Sequence, residues 1–252
     1  MPRVELFESV ASTMDVAHRL AGEGAPAGTV VLADRQTAGR GRAGKSWVSA
    51  QGAGIWLTMI ERPLSSSGLE VLSLRAGLAL AEALDRFAPE PIRLKWPNDL
   101  YVEGGKLGGI LVEARWREQS VEWVAIGVGV NVRQPEDVPE ARALDPGTSR
   151  LAVLPEMVQA VHSAAASTGP LDRQEIEAFN ARDLARGRLC REPGLGRVAG
   201  ITPSGELLIA LADAVASFRS GSLVLEGESE GEGESERESE GEWEGEGEGQ
   251  PR

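Results

Sequence analysis

The sequence is poor in several residue types that would define simpler classes of protein. Cys190 is the single cysteine, histidine occurs twice, and aromatic residues make up 4% of the chain. One cysteine cannot close an internal disulfide, which points to a reducing compartment and a cytoplasmic location. Long apolar runs are missing too: none approaches the roughly 20 residues that cross a bilayer. The N-terminus lacks the apolar core of a secretory signal. No membrane partner is therefore expected. Lysine is also scarce. Lys45, Lys95 and Lys106 stand against 23 arginines, and all three lie in or beside glycine-rich or proline-rich stretches. Collagen-like, coiled-coil and disulfide-scaffold compositions do not fit.

Charge is present but unevenly spread. The formal net charge is -13, yet residues 226–252 hold 12 Glu and 2 Arg and so carry -10 of it. The preceding 225 residues are nearly neutral and offer no basic footprint for nucleic acid. A body of that length buries roughly 70% of its extended surface, enough for one sizeable domain and a small one. Residues 226–252, built of Glu, Gly and Ser, cannot offset the entropy of ordering and are expected to be disordered.

Hydrophobic periodicity predicts a mixed α/β body. Strands are expected at Val4 to Phe7, Thr29 to Ala33, Ile55 to Ile60, Ile92 to Lys95, Leu107 to Arg115 and Val121 to Val132. The last two form a hairpin around Glu118 to Ser120. Helices are expected from Ser12 to about Ala21, Leu72 to Phe87, Leu151 to Ala166 and Leu171 to Ala181. Ser12 with Asp15 has the spacing of a capping box, with Asp in place of Glu or Gln. After Leu184 short strands dominate, at 188–190, 197–201, 206–210 and 222–225. They predict a β module of about forty residues, too small to stand alone and so docked on the larger unit.

Gly39 to Ser46, GRGRAGKS, matches the phosphate-loop pattern letter for letter. A true phosphate loop opens a helix, whereas the residues that follow here read as loop and then strand. The chemistry survives without that fold. Arg40, Arg42 and Lys45 put three cations within six residues, on a backbone loosened by Gly39, Gly41 and Gly44. Arginine forks match phosphate or carboxylate oxygens. A solvated surface turn is the alternative, and Trp47 could either stack on a base or cap the fold. Further on, Lys95 to Asp99 reads KWPND, Lys106 to Leu111 reads KLGGIL, and Gly127 to Asn131 reads GVGVN. Pro97 breaks a strand and presents Asn98 and Asp99 on the turn after it. The glycine pair Gly108 and Gly109 permits close approach of backbone to a ligand.

ESVASTMD, RQTAGRGRAGKSW, KWPNDLYVEGGKLGGILVE and AIGVGVNV occur in one order and spacing. In this the chain resembles the biotin–protein ligases, over residues 1–180, with residues 183–225 similar to their small C-terminal domain. The resemblance implies an α/β (α+β) mixed-sheet catalytic domain over 1–182, related to class II aminoacyl-tRNA synthetases. It also implies an SH3-like β-barrel over 183–225. The acidic tail of 226–252 would follow.

The activity implied is ATP-dependent formation of biotinoyl-AMP, then transfer to a lysine of a biotin carboxyl carrier domain of a biotin-dependent carboxylase. ATP and biotin would be substrates and Mg²⁺ would assist. On matching positions, Ser12, Thr13, Gln36, Gly39, Arg40, Lys106, Gly108, Gly109 and Ile110 would bind biotin. Arg42, Lys45, Trp47, Asn98, Lys106 and Asn131 would bind nucleotide. Lys106, Arg40, Arg42 and Asp99 would carry catalysis. No metal ligands are assigned. Met14 and Lys45 depart from the family pattern, where Asn and Arg are usual; Lys45 keeps the charge without the bidentate fork.

Because the chain starts directly on the strand at Val4, the single-function form without a DNA-binding domain is expected, with no nucleic-acid partner. The resemblance leaves monomer and homodimer both open. His18 and His162 fall in helices, where ordinary packing accounts for them. The competing readings are a lipoate or octanoyl transferase of related fold, a phosphate-loop nucleotidase, and a non-catalytic metabolite-binding protein.

Overall fold

The structure, a computed structural model, describes residues 3–136 and 138–227. Seven strands form the main sheet: β1 (Val4–Val10), β2 (Thr29–Gln36), β3 (Gly54–Glu61), β4 (Arg93–Lys95), β5 (Asp99–Val102), β6 (Gly105–Arg117) and β7 (Ser120–Asn131), in the order β1-β2-β3-β7-β6-β5-β4. β1 and β2 run parallel, and helix α1 (Thr13–Gly22) makes the crossover that a parallel pair needs. All other pairs in this sheet are antiparallel.

Both faces of the sheet are covered, which is why β3 is buried along nearly its whole length. On one face Ile55, Leu57 and Met59 meet Leu74, Leu80 and Leu84 of α2 (Leu72–Leu84) and Val153 and Met157 of α3 (Arg150–Ala166). On the other, Met14, Ala17, Leu20 and Ala21 of α1 pack on Val31, Ile60 and Ala125. α1 is short, so it covers only part of its face. The remainder is left for the glycine-rich segment.

The expected capping box at Ser12 is only half made. Ser12 accepts a hydrogen bond from the Met14 amide at 3.2 Å, but Asp15 turns to Arg40, 2.9 Å away. Aspartate is one methylene shorter than the glutamate that usually reaches back. A full capping box instead opens α4 (Arg173–Arg182), between Asp172 and Glu175. Two strands escaped the sequence reading, β5 and one near the C-terminus. Asp99 opens β5, opposite Lys95 and Gly109, so only Asn98 stays on the turn after Pro97.

The C-terminal strands are β8 (Leu189–Glu192), β9 (Gly196–Ile201), β10 (Leu207–Ala210), β11 (Val215–Phe218) and β12 (Val224–Leu225). They form an antiparallel sheet in the order β11-β10-β9-β8-β12. The expected SH3-like β-barrel is not what forms. Among the described residues β11 and β12 are the two open edges, and nothing pairs them into a closed sheet. The physical reason lies in the core. Cys190, Val198, Ile201, Leu207, Ile209 and Leu225 do not enclose a private interior; they belong to the same apolar cluster as α2, α3 and the main sheet. Polar ties reinforce the join: Trp96 Nε1 donates to the Gly205 carbonyl at 2.9 Å and the Leu184 amide to that of Leu94 at 3.0 Å. The expected acidic tail lies outside the described residues from residue 228 onward.

Candidate active site

The segment 39–47 folds back on itself. The Trp47 amide donates to the Gly39 carbonyl at 2.8 Å and the Gly41 amide to the Lys45 carbonyl at 2.7 Å. The tip, Arg42–Gly44, is a tight turn in which Ala43 and Gly44 take positive φ of 53° and 77°. No helix opens here; the chain proceeds to β3. The letter match to a phosphate loop therefore lacks its fold. Gly39 is required by close approach, because a Cβ there would lie 2.4 Å from the Trp47 carbonyl oxygen.

Under this hairpin lies a cavity of about 400 Å³, lined by Arg40 to Lys45 and by Leu111 and Glu113 of β6. β6 brings its polar residues to this face through an irregularity. Leu100 is opposite Gly108 but Tyr101 is opposite Lys106, so β6 carries one extra residue between them. A regular strand would put Lys106 and Gly109 on opposite faces; the bulge puts them on one. A Cβ on Gly109 would sit 3.7 Å from Lys106 Cε and 3.5 Å from the Trp47 ring. Leu107 and Ile110, 0% and 1% exposed, turn into the core.

Of the expected residues Arg40, Arg42 and Lys45 line the cavity, and Arg42 joins Asn98, Asp99 and Lys106 in a polar cluster. Lys106 Nζ lies 2.8 Å from Asp99 Oδ1 and 5.3 Å from the centre of the Trp47 ring. Arg42 donates to Asn98 Oδ1 at 3.3 Å. Burial lowers the Arg42 guanidinium from its ordinary value, while Asp99 pulls the other way. Asn98 ties the turn to β6, donating to the Ile110 carbonyl at 2.7 Å and accepting from the Ile110 amide through its own carbonyl at 2.9 Å.

Trp47 lies edge-on to Trp56, 6.3 Å between ring centres, and fills the space above Gly129. A Cβ on Gly129 would come 2.7 Å from Trp47 Nε1, and that indole N–H is buried without a hydrogen-bond partner.

A second polar group gathers at the start of α1. The Thr13 amide and hydroxyl both donate to Gln36 Oε1, at 2.8 and 3.1 Å, and Gln36 Nε2 donates to Ser49 Oγ at 2.8 Å. The Thr13 and Thr58 hydroxyls are 2.8 Å apart. Ser12 and Gly39 are buried beside this group.

Arg40 bridges toward both groups through Asp15 at 2.9 Å and Glu113 at 3.3 Å. Other expected residues do not converge. Ile110 has both backbone groups taken by Asn98. Gly108 sits on the core side, where a Cβ would meet Gly129 O and Val130. Asn131 is 4% exposed and donates to the carbonyls of Lys106 and Arg142 at 3.4 and 3.0 Å. Lys45 is exposed at the rim.

Asp15 and Glu113 pair with Arg40, Thr58 with Thr13 and His18 with Glu113, supporting contacts that were not anticipated. Glu113 was within reach of the sequence: Gly109, Leu111 and Glu113 repeat at the spacing of two that marks one face of a strand. No group of three or more His, Cys, Asp or Glu that could hold a metal occurs among the described residues.

A mixed sheet that carries convergent Arg and Lys side chains under a glycine hairpin defines an anion-receiving small-molecule site. Residues 6–131, which include every expected site residue, match the Biotin/lipoate A/B protein ligase family. The match covers half of the chain, and the chain belongs to that family.

Among similar proteins, the bifunctional ligase/repressor BirA of Bacillus subtilis is 42% identical over 133 residues, 52% of this chain and 41% of that protein. The biotin–[acetyl-CoA-carboxylase] ligase of Mycobacterium tuberculosis is 42% identical over 126 residues, 46% of this chain and 45% of that protein. The chain thus spans less than half of the length of these curated relatives. The biotin protein ligase from Aquifex aeolicus, solved in complex with biotin and ATP, superposes with a TM-score of 0.73 at 27% identity, covering 89% of this chain and 99% of that one. No helix among the described residues is long and apolar enough to cross a membrane.

Proposed function

We propose that the chain is an ATP-dependent biotin–protein ligase. Its first step would join biotin to the α-phosphate of ATP, and its second would pass the biotinoyl group to a lysine of a biotin carboxyl carrier domain. The observation that carries this reading is the Arg42–Asn98 and Lys106–Asp99 cluster under the Gly39–Trp47 hairpin. The likeness to the Aquifex ligase, whose solved complex holds biotin and ATP, supports it.

In the first step a biotin carboxylate oxygen attacks the α-phosphorus and pyrophosphate leaves. Two anions must approach, so the barrier is electrostatic, and Lys106, Arg42 and Arg40 supply fixed positive charge at low reorganisation cost. Asp99 holds Lys106 in place when no ligand is present. The Thr13–Gln36–Ser49 group offers paired donors and acceptors suited to a cyclic urea.

In the second step a neutral lysine amine attacks the acyl carbon. It loses its proton, and AMP departs with the anhydride oxygen. No side-chain nucleophile is required. The hairpin would keep water from the labile anhydride. Mg²⁺ typically binds one or two carboxylates plus substrate phosphates. A single carboxylate at hand, Asp99, with no acidic cage among the described residues, fits an ion that enters with ATP.

We assign residues 1–182 to the catalytic unit and 183–225 to a dependent module. Incubation with ATP, Mg²⁺, biotin and a carrier domain tests the function, read by mass gain on the carrier lysine. The family name spans lipoate as well. A parallel arm with lipoate should give no transfer, and preference for lipoate would reassign the substrate.

A further inference from the structure

Glu113 is a node between the hairpin and three elements beneath it. Its Oε2 lies 2.8 Å from His18 Nε2 and 3.3 Å from Arg40 Nη2. On its other side the His18 ring is fixed: Nδ1 accepts a hydrogen bond from Trp123 Nε1 at 3.0 Å. An indole nitrogen only donates, so Nδ1 carries no proton in this arrangement, and the ring's single proton sits on Nε2. His18 therefore donates to Glu113. Arg40 is held from a second direction by Asp15 at 2.9 Å. Asp15 and His18 are three residues apart on α1, so they share one helical face.

We propose that Glu113, oriented by His18 and Trp123, is a positioning residue that holds Arg40 and with it the closed Gly39–Trp47 hairpin. This rests on the reading of that hairpin as the cover of an acyl-adenylate site.

Preorganisation is what makes these contacts hold. The side chains of Arg40, Asp15 and Glu113 are 41%, 57% and 33% exposed, and ion pairs this open are weak singly. A carboxylate already fixed by a second partner loses less rotamer freedom on pairing, so the same contact holds better. The relay runs from β7 through α1 to β6 and ends on the hairpin. Weakening it should free Arg40 and raise the open fraction of the hairpin, while Arg42 and Lys106, held by Asn98 and Asp99, keep their places.

Two variants separate orientation from charge. Glu113→Gln can still accept from His18 but loses the charge that attracts Arg40. The double variant His18→Leu, Trp123→Phe removes the orienting donor and leaves no indole N–H without its acceptor. Trypsin cuts after Arg42 and Lys45 report opening directly on the full-length protein. Both variants should be cut there roughly two- to fivefold faster than wild type, as loss of a weak ion pair implies. The KM for biotin or ATP should rise in proportion, with kcat at saturation within about twofold and the melting temperature near wild type. Should one variant fold poorly, the other decides.

Wild-type cleavage rates in a folded variant would overturn the proposal. So would a collapse of kcat with cleavage unchanged, because Glu113 would then act on the reacting groups. If wild type forms no AMP from biotin and ATP, the ligase reading fails, and the cleavage rates still judge the clamp.

Discussion

Lys106 meets Asp99 and Trp47 on one face of the sheet because β6 carries one residue more than β5 can match. Its ammonium is held by Asp99 and lies near the face of Trp47, poised for an anion rather than for a buried role. Lys106→Ala should lower biotin-dependent pyrophosphate exchange by about 100-fold, the usual loss for one preorganised charge-stabilising donor. Because the side chain is 36% exposed, the fold should survive. An unchanged exchange rate would remove Lys106 from the chemistry. Lys45 stands exposed at the rim, so Lys45→Ala should act on retention of the intermediate instead, read as faster adenylate dissociation.

Asp183 concerns stability. It is 3% exposed, with Oδ1 accepting from the Ala185 amide and Oδ2 unpaired. Burial pushes its carboxyl up to about 6 from 3.8, against the pull of that hydrogen bond, Arg186 and Arg93. The folded state thus favours the protonated form. Its contribution is fully present below the unfolded value and is lost as pH rises through about 6. Asp183→Asn should stabilise the protein more at pH 8 than at pH 4, by up to about 3 kcal/mol for a shift near two units. Urea melts at the two pH values measure it, and an equal effect at both would contradict the assignment.

At the scale of elements, the strands that the sequence foretold are those with continuous or alternating apolar residues. β3, β6 and β7 lie where expected: β3 and β6 extend one and two residues further at each end, and β7 is shifted by one. β5 was read as a turn because Asn98 and Asp99 are turn formers, and pairing with β6 overrode that local preference. The closure of 183–225 was misread for a different reason. Strand lengths indicate a sheet, but whether its inner face closes on itself depends on what lies against it, and here that is the main core. The cluster of Lys106, Asp99, Arg42 and Asn98 was legible because motif residues carry it. The Glu113–His18–Arg40 contacts were not, since they join positions 95 and 73 residues apart.

Between α2 and α4, Arg75 is 5% exposed and donates to Glu175 and to the carbonyls of Gly169 and Pro170. Arg75→Ala would break a buried pair and should cost about 3–5 kcal/mol in a denaturant melt. A loss under 1 kcal/mol would show that the pair contributes little.

For the whole molecule, the acidic composition and the chemistry are separate matters. Most of the net charge of -13 comes from residues 226–252, while every assigned site residue lies between 12 and 131. Deleting residues 228–252 should leave ligase activity within about twofold, because no assigned site residue lies among them. The C-terminal sheet stands differently, because its apolar residues complete the core that supports α2 and β4.

The central claim is that the cations under the hairpin serve acyl-adenylate chemistry. Its most direct measurement follows the nucleotide and the carrier together. With ATP, Mg²⁺, biotin and a biotin carboxyl carrier domain, the account predicts AMP and biotinylated carrier in equal amounts, and neither product when biotin is left out. ADP formed without biotin, or AMP formed with no biotin on the carrier lysine, would contradict it.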